Sequence, residues 1–496
     1  MPPRRAERPV RAHGLPQLRR LFAVSAAAGL GVGVSIGALA QIDGGAARRV
    51  LIQPSLTLSQ TLTNNYALNP VKSESDGITR LSAGVGIRSS GGAVNASVDY
   101  ALGLLSYARH SGQNSLQNTL QADVNAELID NRLQLVSSAS ISRSAISAFG
   151  AQPGLGDDAN ANAVEVRSLR VAPTVRGPLG SALRYSLGLG ISVIDPSGNT
   201  AGGVSGSSAQ FRLEPSSGGV LGWTIDASHQ VADYKGGRSN ASSQLLAALR
   251  YALTDLDLEL SATGGTERTN LDSARGRSTS NWGVGAVWTP SQITRVSADF
   301  ANRFFGRSHS LAIDYRTPRT LWQLRSLRSL STEASGVGSV RGTIYDLLFA
   351  QLAVVQPDPL LREALVLQTL RERGIDANQG VNLGFLQSAA SVQESLEASA
   401  AWTGPRNAAT LSWRQGKSRR FDTVASATDD LSGGNVVRTS GLSINLSHRL
   451  TPSSSTNLII SRQHSDGSVT GQSNRQNQVA LQYSTRLTID GTLGAT

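Results

Sequence analysis

The 496-residue sequence contains no cysteine. That excludes structural disulfides, thiolate metal sites, thiol nucleophiles and a lipid-modified N-terminal cysteine. Charge is scarce at 16% and aromatic residues at 5%. Beyond Val50 no apolar run is long enough for a spanning helix. The six histidines, His13, His110, His229, His309, His448 and His464, include no pair at metal-ligand spacing. No metal and no cofactor is expected.

What is present in their place is glycine, 51 residues of it, with many serines, asparagines and threonines. This mixture suits short strands and turns better than helical bundles. The length is compatible with several soluble domains or with one large closed barrel.

The first twenty residues carry six arginines and one glutamate, and "LFAVSAAAGLGVGVSIGALA" follows without charge. Its Ala38-Leu39-Ala40 end has the small-x-small pattern of a secretory cleavage site, so residues 1–40 read as a signal peptide and the mature chain as 41–496. An uncleaved inner-membrane helix is the alternative, disfavoured by the weak hydrophobicity of glycine and alanine. Removing the leader lowers the formal charge from +11 to +6, and the case for nucleic-acid binding falls with it.

From Val50 onward the hydrophobic period is two. "VNASVDYALGLL" sets Val94, Ala96, Val98, Tyr100, Leu102 and Leu104 against Asn95, Ser97 and Asp99. "RVSADFANRFFGRSHSLAIDYRTPRTLW" sets Val296, Ala298, Phe300 and Phe304 against Arg295, Ser297, Asp299 and Arg303, turns at its serine-histidine-serine, and continues with Leu311, Ile313 and Tyr315 against Ala312, Asp314 and Arg316. About twenty such segments follow one another, with short turns alternating with longer polar loops. That alternation predicts an all-β, transmembrane, antiparallel up-and-down β-barrel of about 20 strands (16–20) in an outer membrane, with short periplasmic turns and long external loops.

Trp223, Trp288, Trp322, Trp402, Tyr185, Tyr251 and Tyr315 all lie close to a short turn. Amphipathic rings favour the headgroup level, so these residues form the expected interface girdle in outer-membrane lipid. An arginine near the bilayer midplane costs about 2–4 kcal/mol, which fixes the register with the oily face outward. The expected lumen-lining charges are Asp226, Arg295, Asp299, Arg303, Asp314, Arg316, Arg325 and Arg414. Their guanidinium groups suit anionic or hydroxyl-rich polymers, or else the charges simply satisfy one another.

One stretch breaks the period. "TIYDLLFAQLAVVQPDPLLREALVLQTLRERG" has helical spacing, with Asp358 as N-cap, Pro359 at the first helical position and Gly374 as a stop. A helical insert over 341–380 is expected on the external side, as a plug or a lid. Ser308-His309-Ser310 invites a hydrolase reading but has no orienting third group, and Asp158, Asn160 and Asn162 imitate a calcium loop whose turn glycine is replaced by Ala163 and whose bidentate acid by Leu169. Neither is adopted, and the chain is read as a non-enzyme.

The Trp-Thr-Pro turn at Trp288, the step Arg303-Phe304-Phe305-Gly306, "DPLLREA" and "GPRNAATLSW" resemble the outer-membrane protein family associated with the PEP-CTERM/exosortase system, found beside exopolysaccharide loci in Gram-negative bacteria. Ala301-Asn302 and Thr317-Pro318 depart from its pattern. The resemblance implies a role in exopolysaccharide export or in the sorting of envelope proteins, with exopolysaccharide or its secretion machinery as partner. The family's biochemical activity is undetermined. A gated, porin-like pore and a plugged surface-binding module are both compatible with it. The chain ends on "IDGTLGAT", whereas many bacterial barrels end on an aromatic residue read by the barrel-assembly machinery. Tyr483 and Leu487 fill that role, or a short tail follows the last strand.

Overall fold

The computed structural model describes residues 49–63, 65–67, 74–90, 92–152, 160–198, 202–235, 237–271, 276–332, 385–421, 429–451, 454–469, 471–486 and 492–495. The signal peptide and the helical insert expected over 341–380 lie outside the described residues.

The described chain is almost entirely strand. In order these are β1 (Arg49–Thr63), β2 (Asp76–Ser90), β3 (Val94–Tyr107), β4 (Ser115–Ile129), β5 (Leu133–Ala145), β6 (Ala163–Leu179) and β7 (Leu183–Pro196). Then come β8 (Val204–Pro215), β9 (Leu221–Tyr234), β10 (Ser239–Leu253), β11 (Leu258–Thr269), β12 (Arg277–Ser291), β13 (Thr294–Arg303) and β14 (Gly306–Arg316). The last are β15 (Thr320–Ser331), β16 (Ser391–Thr403), β17 (Asn407–Arg420), β18 (Val436–Arg449), β19 (Ser454–Gly467), β20 (Ser473–Arg486) and the short β21 (Thr492–Ala495).

Every strand from β2 to β19 pairs antiparallel with both of its sequence neighbours; among the described residues β1 pairs with β2, and β20 with β19 and β21. The result is one continuous up-and-down meander. Connections alternate as the sequence suggests. At one end they are turns such as 130–132, 292–293 and 404–406, and at the other the strands are separated by longer stretches of sequence, such as 146–162 and 421–435.

Directly paired residues share a face, so the ladders carry one parity round the whole sheet. Leu189 pairs with Ala209, Leu245 with Ala227, Val284 with Phe300, Tyr315 with Trp322, Leu411 with Ile444, and Ile460 with Val479. These residues occupy one apolar face, which also holds all six tryptophans. That face is uncovered: Leu62 is 83% exposed, Val479 71% and Leu249 58%. A surface of this extent is far larger than a water-soluble protein leaves open.

The sheet is rolled. Asn474 Nδ2 on β20 donates to the Gly150 carbonyl (2.7 Å), and Gln152 N donates to Gln476 Oε1 (3.0 Å), so the loop after β5 reaches the last long strand.

One expected turn moves. The corner between β13 and β14 is Phe304-Phe305, completed by Gly306 at φ 100°, and not Ser308-His309-Ser310, which lies inside β14. Only glycine adopts that φ without strain, so the arginine-phenylalanine-phenylalanine-glycine step is a hairpin tip. Phe304 therefore leaves the Val296-Ala298-Phe300 face and packs edge-on to Phe305 and to Phe421 (centroids 5.4 Å each).

Candidate functional site: the polar face and its closed end

The face opposite the tryptophans carries the charge. Register places Asp226, Arg295, Asp299, Arg303, Asp314, Arg316, Arg325 and Arg414 on it. Five of the eight are held in ion pairs. Arg212 Nε meets Asp226 at 2.6 Å, Arg325 Nη2 meets Asp314 at 2.8 Å, and Arg414 Nε meets Glu397 at 3.0 Å, each pair joining adjacent strands. Arg303 reaches from β13 to Glu267 on β11 (2.5 Å), and its guanidinium lies over the Phe305 ring at 5.2 Å. Pairs on half-exposed side chains contribute little stability individually, so their consequence is a wall of nearly neutral, fixed dipoles.

Glu267 is the exception because its side chain is buried. Replacing it with alanine strands Arg303 beside an aromatic corner, and a loss on the order of 3 kcal/mol is expected in a denaturant titration of the detergent-solubilised protein. A shift below 1 kcal/mol would show the pair to be peripheral. Nothing in the strand alternation singled out Glu267 as Arg303's partner, since the pair skips a strand.

At the long-loop end the polar face turns apolar. Val166, Ile194, Val204 and Tyr234, the inner ends of β6 to β9, bury together with Leu386. Val437, the inner end of β18, buries with Ala148, Phe385 and Leu431. Ile78, Leu105 and Tyr107, the inner ends of β2 and β3, bury with Tyr66 against them. Sequence alternation alone assigns these positions to the polar face, and the loops folded onto that face explain why they are hydrophobic.

The covering segment is 385–390, buried throughout. Leu386 N donates to the Ala145 carbonyl (3.1 Å), which ties the segment to the end of β5. Gly202 approaches it so closely that a β-carbon there would sit 3.3 Å from the Gln387 carbonyl, and its φ of 102° also requires glycine. Ser388 N and Oγ both donate to Asp429 Oδ2 (3.0 and 2.7 Å), while Asp429 Oδ1 accepts from Arg420 Nη2 (2.5 Å) and Leu431 N (3.0 Å). Asp430 in turn accepts from Ser147 Oγ (3.0 Å) and Ala148 N (2.6 Å). Two consecutive aspartates thus clamp three segments, 145–152, 385–390 and 429–435, that are distant in sequence.

Burial pushes the Asp430 carboxyl above the usual carboxylate range, opposed by the Ala148 and Ser147 hydrogen bonds and reinforced by the charge of Asp429. A raised folded-state pKa means stability that is complete below the unfolded value and lost as pH rises through the folded one. Asp430→Asn, which keeps the shape without the charge, should therefore raise the thermal midpoint at pH 7 and leave it unchanged at pH 3. An equal change at both values would exclude a titration effect.

Ser308 and His309 form no dyad. Ser308 lies on the polar face and its Oγ donates to the Ala301 carbonyl (3.2 Å), whereas His309 lies on the apolar face with Nε2 against Ser326 Oγ (3.0 Å). Asn160 Nδ2 donates to the Ala151 carbonyl (2.8 Å) and Asn162 Nδ2 to the Ser147 carbonyl (2.8 Å), so both fasten the loop, and Asp158 lies outside the described residues. Among the described residues no group of histidine and carboxylate side chains could hold a metal ion.

No family model and no curated protein matches the chain. Solved structures similar to it include the FrpB iron transporter from Neisseria meningitidis (10% identity, 89% of this chain and 74% of that one, TM-score 0.43). Others are the siderophore receptor PirA from Pseudomonas aeruginosa (9%, 88% and 75%, 0.42) and a mutant of the ferric enterobactin receptor PfeA from the same organism (10%, 89% and 74%, 0.42).

Proposed function

We propose that this chain is an outer-membrane β-barrel, closed by β1 meeting β20, whose external mouth is sealed at rest by its own loops. The observation that carries this is the buried segment 385–390, clamped between the inner wall and the aspartate pair. The uncovered apolar face supports the membrane setting, since hydrocarbon is the surrounding in which such a face is at its lowest free energy. A hydrocarbon setting also favours closure, because open strand edges are costly there. The short-turn end, with Trp288, Trp322 and Trp402 beside it, is the periplasmic end, reached after a signal peptide is cleaved near Ala40.

The sealed barrel serves exopolysaccharide export or the PEP-CTERM/exosortase sorting system, as a passage that opens only when the loops part and not as an enzyme. Support for that assignment is the Arg303-Phe304-Phe305-Gly306 corner and the neighbouring motifs. Deleting the gene from a polymer-producing strain should strand polymer or sorted protein in the periplasm, and normal surface display would remove the assignment. The barrel itself is tested separately: the mature protein should fractionate with the outer membrane and start at Gln41. A folded, monomeric chain in detergent-free buffer would end the reading.

A further inference from the structure

The apolar face does not stay apolar to the long-loop end, and it changes unequally round the sheet. On β17 it runs Leu411, Trp413, Gln415, Lys417, Arg419, and on β18 it runs Leu446, Ile444, Leu442, Ser440, Arg438. On β19 and β20 the rungs above Ile460 and Val479 are Arg462 with Asn477, then His464 with Arg475. Arg307 and Arg328 continue the same level on β14 and β15. Against these cations stand two acids on that face, Glu394 and Asp466. Glu394 is shared by Arg328 (3.1 Å) and Lys417 (3.9 Å), and Asp466 lies 3.5 Å from Arg438. Arg307, Arg419, Arg462 and Arg475 are exposed, and among the described residues no carboxylate is paired with them.

The opposite sector at the same height is balanced. There Arg143, Arg167 and Lys235 face Glu165, Asp195 and Asp233, with Arg167 on Glu165 at 2.8 Å and Lys235 near Asp195 at 4.0 Å. An ordinary solvated rim would show this balance all round. Below the cationic sector, Tyr315, Trp322, Leu324, Leu411 and Trp413 border a groove of about 290 Å³ floored by Ala398 and Ala400 on the same apolar face. Trp413 lies four residues from Lys417 along β17, about 13 Å of extended strand, which is within the reach of an acyl chain anchored at the cations.

We infer that the outward face of β14 to β20 is a docking surface for a phosphorylated, multiply acylated lipid of the outer leaflet, the arginines taking its phosphates and the groove an acyl chain. The guanidinium fork matches phosphate geometry, and the arginines stand one to three rungs above the last apolar residue of their strands, at the depth of a headgroup. This rests on the outer-membrane reading above.

The test uses the full mature chain reconstituted in phosphatidylcholine vesicles doped with lipid A, followed by detergent extraction and native mass spectrometry. Wild type should retain lipid A. The triple variant Arg419→Gln, Arg462→Gln, Arg475→Gln should retain roughly tenfold less or lower still. The triple variant Arg143→Gln, Arg167→Gln, Lys235→Gln, equal in charge change, should retain as much as wild type. Enzymatically dephosphorylated lipid A should bind weakly to all three. Equal loss in both variants, undiminished binding of the dephosphorylated lipid, or displacement by inorganic phosphate alone overturns the inference while leaving the barrel intact. Failure of the wild type to enter vesicles overturns both.

Discussion

Replacing Asp429 and Asp430 together with alanine should convert a silent barrel into a steadily conducting one. In planar bilayers the wild type is expected to show no lasting current. The double variant removes the acceptors that hold Ser388, Leu431, Ser147 and Ala148, and leaves Arg420, whose side chain is only 13% exposed, without its carboxylate. Breaking a buried pair from one side costs about 3–5 kcal/mol, because the remaining charge stays desolvated. Even 3 kcal/mol moves an open-to-closed equilibrium by roughly two orders of magnitude. A single Asp429→Asn change should open it less, since an amide still accepts from Ser388. Lasting current in the wild type, or silence in the double variant, would show that these loops do not gate the mouth.

The second large effect concerns the other face. Leu411 lies on the apolar face, paired with Ala400 and Ile444, and Ser412 on the polar face, paired with Ser399 and Ser443. An arginine at Leu411 sits near the middle of the apolar band and is expected to cost about 2–4 kcal/mol. The same arginine one residue later, at Ser412, enters the polar face, where Glu397 lies on the neighbouring strand. Its cost should be near zero. Refolding into lipid vesicles across a urea series measures both, and equal midpoints for the two variants would falsify the inside-outside assignment.

The wall was legible because a strand repeats its instruction every second residue. Alternation in "VALQYSTRLTI", or in "LRYSLGLGISV", specifies a face without reference to any distant residue, and the strands β20 and β7 follow it. The charges Asp226, Asp314, Arg325 and Arg414 were placed by the same rule, and their partners sit on adjacent strands. The mouth was not legible. Its clamp joins Ser147, Ser388 and Asp429-Asp430 across irregular loops, and no periodicity links segments so far apart. A signal did exist in the exceptions to the alternation: Val166, Ile194, Val204 and Val437 are hydrophobic where the polar face requires otherwise. Read as errors they weaken the strand pattern, and read as contacts they mark where a loop lands. The corner at Phe304-Phe305 was misplaced for a related reason. The histidine between two serines looked like a turn, while the positive φ that makes one belongs to Gly306.

Most ion pairs of the polar wall, Arg303 with Glu267 and Arg176 with Glu127 aside, are transactions between neighbours: Arg88 with Asp99, Arg212 with Asp226, Arg325 with Asp314, Arg414 with Glu397. A wall assembled this way is modular. Copying or losing one hairpin would carry its compensating charge with it, so the number of strands could change without unbalancing the wall. The lid has no such freedom, since its three segments answer to one another, and a change in girth would force all of them to be redrawn at once.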